Sequence, residues 1–245
     1  MTDYTKTVRE IALEQPTSVR VFERLGIDYC CGGRKPLTEA CSEHNLEVAA
    51  VVTALESAAQ GSASAGPDWA NAPLGKLIEH VVATHHEYIR NELPRLEMLA
   101  DKVVNRHGDT QAHLPMLQNV VAQLGEELIH HLGKEEHVLF PYIAKLEAAQ
   151  NSGSELPHGC FGSVTHPISM MTREHDDAGQ ALAQIERLTN NFTTPAGACP
   201  TYMAFYAALK EFEQDLHQHI HLENNILFPR AVELEVATQP LGQTA

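Results

Sequence analysis

Beyond residue 73, apolar residues recur at helical intervals along four long segments of the chain. Loops rich in Gly, Ser, Asn and Pro separate these segments, and no strand-like alternation of useful length interrupts them. Long helices with short connections are typical of an antiparallel four-helix bundle. We expect Pro94, Pro141 and Pro229 to kink or end the helices in which they fall. The four predicted helices span residues 74–106, 112–148, 166–190 and 200–236.

The chain before residue 60 has shorter apolar stretches of helical spacing, separated by turn-forming residues. Pro16 breaks the chain between the first two predicted helices, and Gly26 suits a helix C-terminus. A loop over residues 27–36 then carries the run Cys30-Cys31-Gly32-Gly33. The predicted helices of this part span residues 5–14, 17–25 and 46–59.

Residues 60–73 are small, polar and rich in turn formers, which is typical of a linker between domains. The sequence therefore predicts a small helical domain over residues 1–59 and a bundle over residues 74–236. The predicted fold class is all-α, with the small N-terminal domain followed by the antiparallel four-helix bundle.

Composition narrows the class of function. The 245 residues include 17 Lys and Arg against 32 Asp and Glu, a formal net charge of −15, which disfavours nucleic acid and anionic membrane surfaces as partners. No apolar stretch is long enough to span a bilayer, and residues 1–15 do not resemble a secretory signal. The five Cys are scattered rather than spaced as a disulfide framework, so we expect a cytoplasmic protein.

Histidine is unusually abundant, with 15 residues, and part of it lies in an internal repeat. The run HLGKEEHVLFP at 131–141 matches HIHLENNILFP at 219–229, with His, Glu, Leu, Phe and Pro at identical offsets. A His and a Glu four residues apart lie on one face of a helix, so both can reach one metal centre. We expect the Leu-Phe-Pro to pack in the core and to end the regular helix.

The repeat extends upstream, because His86 precedes His131 by 45 residues and His175 precedes His219 by 44. Two helical hairpins packed with pseudo-two-fold symmetry would direct four His and two Glu into the bundle centre, as dinuclear carboxylate sites are built. Six ligands are too many for one tetrahedral zinc ion. Two metals bridged by both Glu, with an oxo or hydroxo bridge in addition, fit them better. Mixed imidazole and carboxylate ligands favour iron, with manganese and zinc also allowed. The predicted ligands are His86, His131, Glu135, His175, His219 and Glu223.

Some assignments leave alternatives open. His85 adjoins His86, and we assign His86 as the ligand because His85 then aligns with Glu174 in the other hairpin. Glu127 and Glu174 are candidates to accept a hydrogen bond from the second ring N–H of a ligand imidazole or to relay protons towards the metals, with a solvated helix face as the alternative. Surface or supporting positions are expected for His80, His130, His137, His217 and His221.

Adjacent Cys30 and Cys31 form only a strained disulfide, so a structural bridge between them is not expected. Followed by two Gly, their thiolates would be exposed on a flexible turn, where they could transfer iron or exchange electrons. The alternative is a small-residue turn with incidental thiols. The isolated Cys41, Cys160 and Cys199 are expected to be inert.

With these residues in place, a family resemblance emerges. Residues 74–236 resemble the hemerythrin-like di-iron bundles, and with Asp28-Tyr29-Cys30-Cys31-Gly32-Gly33 ahead of them the chain resembles the bacterial di-iron iron–sulfur-cluster repair proteins, the repair of iron centres family. The resemblance implies two non-haem irons per chain, bridged by both Glu, and repair of clusters damaged by nitric oxide or oxidants. Oxygen-carrying hemerythrins use more His and an Asp-bearing motif, from which this chain departs.

The leading hypothesis is an iron-donating repair protein whose partners are damaged or apo iron–sulfur proteins. The alternative is a hemerythrin-like protein that binds, scavenges or senses oxygen or nitric oxide. This alternative gives the cysteine-bearing loop no function. A third is an enzyme that reduces nitric oxide at the iron pair, and a two-zinc hydrolase is the least favoured. The sequence leaves open whether the chain is a turnover enzyme and whether it forms a homodimer.

Overall fold

The computed structural model describes residues 5–30, 32–60, 67–155, 157 and 159–238. All regular elements in these ranges are helical, which confirms the all-α fold class. The N-terminal part contains a short 3-10 turn at Pro16–Ser18, and a single antiparallel bridge joins Thr7 to Pro36. Its helices are α1 (Val8–Glu14), α2 (Val19–Leu25), α3 (Leu37–Glu43) and α4 (Val48–Gln60).

The sequence pattern missed α3, although its buried residues Leu37, Ala40 and Cys41 have helical spacing. With seven residues, the helix is too short for this periodicity to be distinguished from a loop. Its packing explains why it forms, since these three side chains join the buried cluster of the N-terminal part.

The remaining helices form the four-helix bundle. In three of the four long helices, a short π-helical turn joins two α-helical parts. The elements are α5 (Leu74–Val81) and α6 (Glu87–His107), α7 (Leu114–Lys134) and α8 (Phe140–Ser152), α9 (Thr165–Leu188), and α10 (Pro200–His221) and α11 (Phe228–Thr238). Helix α6 packs against α7 and α10, and α7 also packs against α9, while α8 packs against α5 and α11.

The π turns span Val82–His86, Glu135–Leu139 and Leu222–Leu227, so each contains or borders residues of the repeat. Two of these π turns explain how the helices accommodate the prolines of the repeat. Pro141 and Pro229 lack an amide hydrogen and would clash with the carbonyl four residues earlier in a regular α-helix, and the wider turn just before each relieves that conflict. The expectation that Leu-Phe-Pro ends the regular helix is therefore wrong in part, because α8 and α11 continue beyond it.

The bundle core consists of two apolar clusters stacked along its axis. One contains Ile89, Leu132 and Ile220, and the other contains Val81, Leu139 and Leu227. The two clusters meet at the π turns, which is where the repeated His and Glu residues lie. The fold thus places a polar layer between two apolar layers, away from both ends of the bundle.

The N-terminal part docks on α10 and the following π turn through polar contacts. Gln218 Nε2 donates to Glu23 Oε1 at 2.8 Å, and Asn225 Nδ2 donates to the Tyr29 carbonyl at 3.1 Å. The Tyr29 ring is fully buried and meets the His221 ring edge-on at a centroid distance of 5.3 Å. The loop that bears Cys30 is consequently fixed against the bundle.

Replacing Leu117 with Ala tests the bundle core. Leu117 has no exposed surface, so its truncation should lower the free energy of unfolding by about 2 to 5 kcal/mol through lost burial and a residual cavity. Its neighbour Met116 is 54% exposed, and Met116→Ala should change stability by no more than about 0.5 kcal/mol. Urea unfolding followed by circular dichroism measures both, and equal losses would contradict this core assignment.

Candidate metal centre

Six side chains converge in the polar layer of the bundle, and none is more than 2% exposed. They fall into two groups of four whose ligand atoms all lie within 4.8 Å of one another. Each group takes one His from each hairpin, and both groups use the same two carboxylates. The first group is His86, Glu135, His219 and Glu223, and the second is His131, Glu135, His175 and Glu223.

The Nε2 atoms of the four imidazoles face inward. His86 Nε2 lies 3.1 Å from His219 Nε2, and His175 Nε2 lies 3.0 Å from His131 Nε2. The carboxylates fill the space between these two pairs. Glu135 Oε2 lies 3.4 Å from both His86 Nε2 and His131 Nε2.

Glu223 occupies the opposite side of the cluster. Its Oε1 lies 3.0 Å from His219 Nε2 and 3.8 Å from His86 Nε2, and its Oε2 lies 3.1 Å from His175 Nε2. Each carboxylate therefore reaches one imidazole of each group at least. Among the described residues, neither oxygen of Glu135 nor Oε2 of Glu223 accepts a well-formed hydrogen bond.

Buried carboxylate oxygens without hydrogen bonds are unfavourable unless a cation neutralises them. Nitrogen and oxygen donors in this number suit first-row transition metals better than calcium or magnesium, which prefer oxygen alone. The donor set therefore fits a metal centre of the kind that a hemerythrin-like bundle holds. It also explains why two acidic side chains are tolerated in the middle of an apolar core.

Hydrogen bonds on the outer side fix the orientation of three of the imidazoles. His86 Nδ1 donates to Glu136 Oε1 at 2.7 Å, and His175 Nδ1 donates to Asn224 Oδ1 at 3.0 Å. Glu136 and Asn224 occupy the same offset of the repeat, one residue after the inward Glu. A proton held at Nδ1 leaves the Nε2 lone pair for a metal, so these contacts select the tautomer that a ligand needs.

His131 uses the residue predicted for this role, since its Nδ1 donates to Glu174 Oε2 at 2.9 Å. Glu174 in turn pairs with Lys134. His219 is the exception, because its buried Nδ1 has no hydrogen-bond acceptor among the described residues. The two groups are thus unequally supported on their outer side.

The Phe of each repeat packs on the distant His of its own hairpin. The Phe140 ring stacks on His86 at a centroid distance of 5.6 Å, and the Phe228 ring stacks on His175 at 5.9 Å. These contacts give the Leu-Phe-Pro motif a second purpose besides filling the core. Each phenyl ring excludes water from one side of a ligand imidazole.

Electrostatic interactions within the cluster give its imidazoles different pKa values. Burial alone would lower the pKa of His86, but the nearby carboxylates of Glu135 and Glu223 outweigh that effect and raise it to about 10. Burial would also lower the pKa of His131, but the negative charge of Glu135 outweighs burial and raises that pKa to about 9. Burial prevails at His219, where it lowers the pKa despite the nearby Glu223. Both carboxylates stay ionised because the surrounding imidazoles lower their pKa against the opposing effect of burial.

The structure distinguishes the two adjacent histidines. His86 faces the cluster, whereas His85 donates from Nδ1 to Asp215 Oδ1 at 2.9 Å. The His85 ring lies parallel to His219 at a centroid distance of 5.7 Å. Asp215 precedes His219 by four residues, the offset at which Glu127 precedes His131, so repeat alignment could have revealed it.

The structure places two of the candidate residues away from the cluster. Glu127 does not support a ligand, because it is exposed and accepts a hydrogen bond from Gln123 Nε2 at 2.9 Å on the bundle surface. Cys30 is not an exposed thiol, since it is 5% exposed and packs with the apolar cluster of the bundle. The docking of its loop on α10 explains that burial. Cys31 lies outside the described residues.

Comparison with known proteins agrees with this architecture. Residues 77–231 match the hemerythrin HHE cation binding domain, and residues 4–59 match a domain of unknown function, DUF542. The iron-sulfur cluster repair protein YtfE of Yersinia pseudotuberculosis serotype O:1b (strain IP 31758) is 38% identical over 234 residues, which are 95% of this chain and 100% of that protein. The chain belongs to the YtfE family of iron-sulfur cluster repair proteins.

A second YtfE relative, from Yersinia pestis (strain Pestoides F), is 37% identical over 234 residues with the same coverage of both chains. The family resemblance inferred from the sequence is therefore confirmed. No helix in the described ranges is long and apolar enough to cross a bilayer. The boundaries placed at residues 59, 73 and 236 stay predictions.

Metal uptake by the metal-free chain should release about two protons at pH 7, because His86 and His131 are protonated there and a metal must displace those protons. A raised pKa favours the protonated imidazole, so metal affinity should increase as pH rises from 7 towards 9 and 10. Calorimetric titration in buffers of different ionisation enthalpy measures the protons released. Affinity that falls over this pH range would contradict the assignment.

Single substitutions at the adjacent histidines distinguish their roles. His86→Ala removes a nitrogen donor from the first group only, so the purified chain should retain about half of the metal of the unaltered chain. His85→Ala is the matched control and should retain nearly all of it, because His85 faces Asp215. Metal content after gel filtration measures both. Equal retention by the two variants would contradict the inward assignment of His86.

Proposed function

We propose that this protein repairs iron–sulfur clusters damaged by nitric oxide or oxidative stress by donating iron from the buried His and Glu cluster. The observation that supports this best is the pair of four-residue groups that share both carboxylates, in a chain that spans the full length of proteins named for this repair. The proposed targets are damaged or apo iron–sulfur proteins. The proposed iron ligands are His86, His131, Glu135, His175, His219 and Glu223.

Two irons are proposed because the donors form two groups rather than one, with Glu135 and Glu223 as bridging ligands. Iron held by these residues would supply redox chemistry at the site. The protein residues then decide how firmly each position is held. Carboxylates and neutral imidazoles hold iron tightly when outer hydrogen bonds orient them, and loss of such a partner typically lowers affinity about 10- to 100-fold.

The unequal outer support suggests which position gives up iron first. His86, His131 and His175 each donate from Nδ1 to an acceptor, whereas His219 Nδ1 has none among the described residues. The group of His86 and His219 is therefore the weaker of the two. We propose that this position donates iron, while the group of His131 and His175 keeps the other iron in place.

The N-terminal part has a proposed role in engaging the target. Arg9 Nη2 donates to the Asn224 carbonyl at 3.4 Å, and the Asn224 side chain accepts from His175. Asn225 also binds the Tyr29 carbonyl. A target that moves this part would act on the π turn carrying Glu223, so the cysteine-bearing loop would influence iron release through its docking rather than through an exposed Cys30 thiol.

The match to the hemerythrin HHE cation binding domain supports a second candidate function. In that case the centre binds oxygen or nitric oxide, and the N-terminal part needs no contact with a damaged protein. Nitric oxide reduction at the same centre would further require an electron donor. Only the repair function requires iron to be delivered to a target protein, so a measurement of iron delivery distinguishes it from the other two.

Iron delivery is tested by incubating the iron-loaded chain with an iron–sulfur protein whose cluster nitric oxide has destroyed, and by following the recovered cluster absorbance. We expect recovery above that given by the same amount of free ferrous iron. Glu135→Ala should abolish this excess, because both groups lose a shared carboxylate. Glu127→Ala is the matched control, since it removes an exposed glutamate of the same helix and should leave recovery unchanged.

Recovery equal to that of free ferrous iron with the unaltered chain would overturn the repair function. Reversible oxygen binding by the reduced chain under the same conditions would then support the second candidate. Recovery that persists in Glu135→Ala would instead show that iron is donated from elsewhere in the chain.

A further inference from the structure

A cleft of about 850 Å³ lies between the N-terminal part and the bundle. Residues of α1, α2 and α4 form one wall, and Trp69 stands at the edge near the start of α5. The opposite side is lined by imidazoles from two bundle helices, His80, His85 and His221. The cleft exists because the docking contacts of Glu23 and Tyr29 hold the two parts together.

The charge of the cleft is opposite to that of the whole chain. Its lining contains two guanidinium groups, Arg20 and Arg24, and no acidic residue among the described residues that face it. Neither arginine forms an ion pair with any residue in the described ranges, although the chain has a net charge of −15. Two arginines beside a cavity, without an ion pair in the part of the chain that the structure describes, are a favourable place for an anion in so acidic a protein.

The imidazoles opposite provide hydrogen-bonding groups. Asn225 Nδ2 donates to His221 Nδ1 at 2.8 Å, which leaves Nε2 of that ring to face other partners. The permanent positive charge of the cleft lining is that of the two α2 arginines.

We propose that this cleft binds a small organic dicarboxylate of about tripeptide size, held by Arg20 and Arg24. The two arginines lie four residues apart, so they project from one face of α2 with about 5 to 6 Å between their Cβ atoms. Each guanidinium can take one carboxylate through two parallel hydrogen bonds. The apolar wall formed by Leu13, Val19 and Ala54 suits the carbon frame that joins the two acids.

The size of the cleft argues against an inorganic anion as its occupant. A cavity of about 850 Å³ lies within the range of about 300 to 1,000 Å³ typical of sites for small organic ligands. A phosphate ion would contact the arginines and leave the apolar wall without a partner. An organic frame contacts both.

The position of the cleft gives such a ligand access to the surroundings of the metal cluster. His85 lines the cleft, and its ring lies parallel to that of His219 at a centroid distance of 5.7 Å. One imidazole therefore separates the cleft from the first ligand group. The site is additional to the proposed repair function, and its occupancy can be measured without any iron transfer.

Trp69 is the only tryptophan of the chain, and it stacks on His80 inside the cleft at a centroid distance of 4.5 Å. Its fluorescence therefore reports directly on occupancy. The probe is S-methylglutathione, which carries two carboxylates on a tripeptide frame and has no free thiol to reduce iron. Titration of the iron-loaded full-length chain should give a saturable change in fluorescence, with the protein-bound iron unchanged after gel filtration.

Arg20→Gln and Arg24→Gln should each weaken this binding about tenfold or more, because a hydrogen-bonded charge partner is lost. Arg106→Gln is the matched control and should bind as tightly as the unaltered chain, since Arg106 lies about 30 Å along α6 from His85. Inorganic phosphate should give no saturable change. Unchanged binding in both arginine variants, phosphate binding as tight as that of the probe, or no binding of the probe at all would each overturn the proposal.

Discussion

Two ionised carboxylates buried at the centre of an apolar bundle are the constraint on which the rest of this structure depends. Glu135 and Glu223 have no exposed surface, and three of their oxygens accept no well-formed hydrogen bond in the described part of the chain. Removing such charges from water is unfavourable by several kcal/mol for each ion unless cations compensate. Four imidazoles surround them, and metal ions bound between imidazoles and carboxylates would complete the compensation. The outer hydrogen bonds, the stacked phenyl rings and the two apolar layers all serve to keep these charges in place.

The internal repeat provides a near-symmetric frame, and the departures from symmetry give the two positions different properties. Glu136 and Asn224 are equivalent in the repeat, yet one is charged and the other neutral. Glu174 supports His131, while the equivalent residue, His85, points to Asp215 and leaves His219 Nδ1 without an acceptor. A symmetric scaffold with asymmetric support can hold one metal firmly and the other weakly. This is what a protein that donates iron and yet keeps its fold would require.

The N-terminal part meets the bundle beside both groups of the cluster. Its contacts reach Gln218, Asn224 and Asn225, which flank His219 and Glu223 in sequence, and the Asn224 side chain accepts from His175 of the second group. The same docking encloses the cleft beside His85 and buries Cys30. Contact between a target or a small anion and the N-terminal part would therefore act on residues that flank the cluster.

The sequence by itself determined the helical class, the bundle and the identity of the six converging residues, because helical periodicity and a duplicated His-x-x-x-Glu are local patterns. Only the tertiary structure decided which His shares a group with which, since His86 joins His219 across the hairpins rather than His131 of its own. It also decided the support of His86 by Glu136, the surface position of Glu127 and the burial of Cys30. Those outcomes depend on how helices face one another, which the spacing of residues within one helix does not determine.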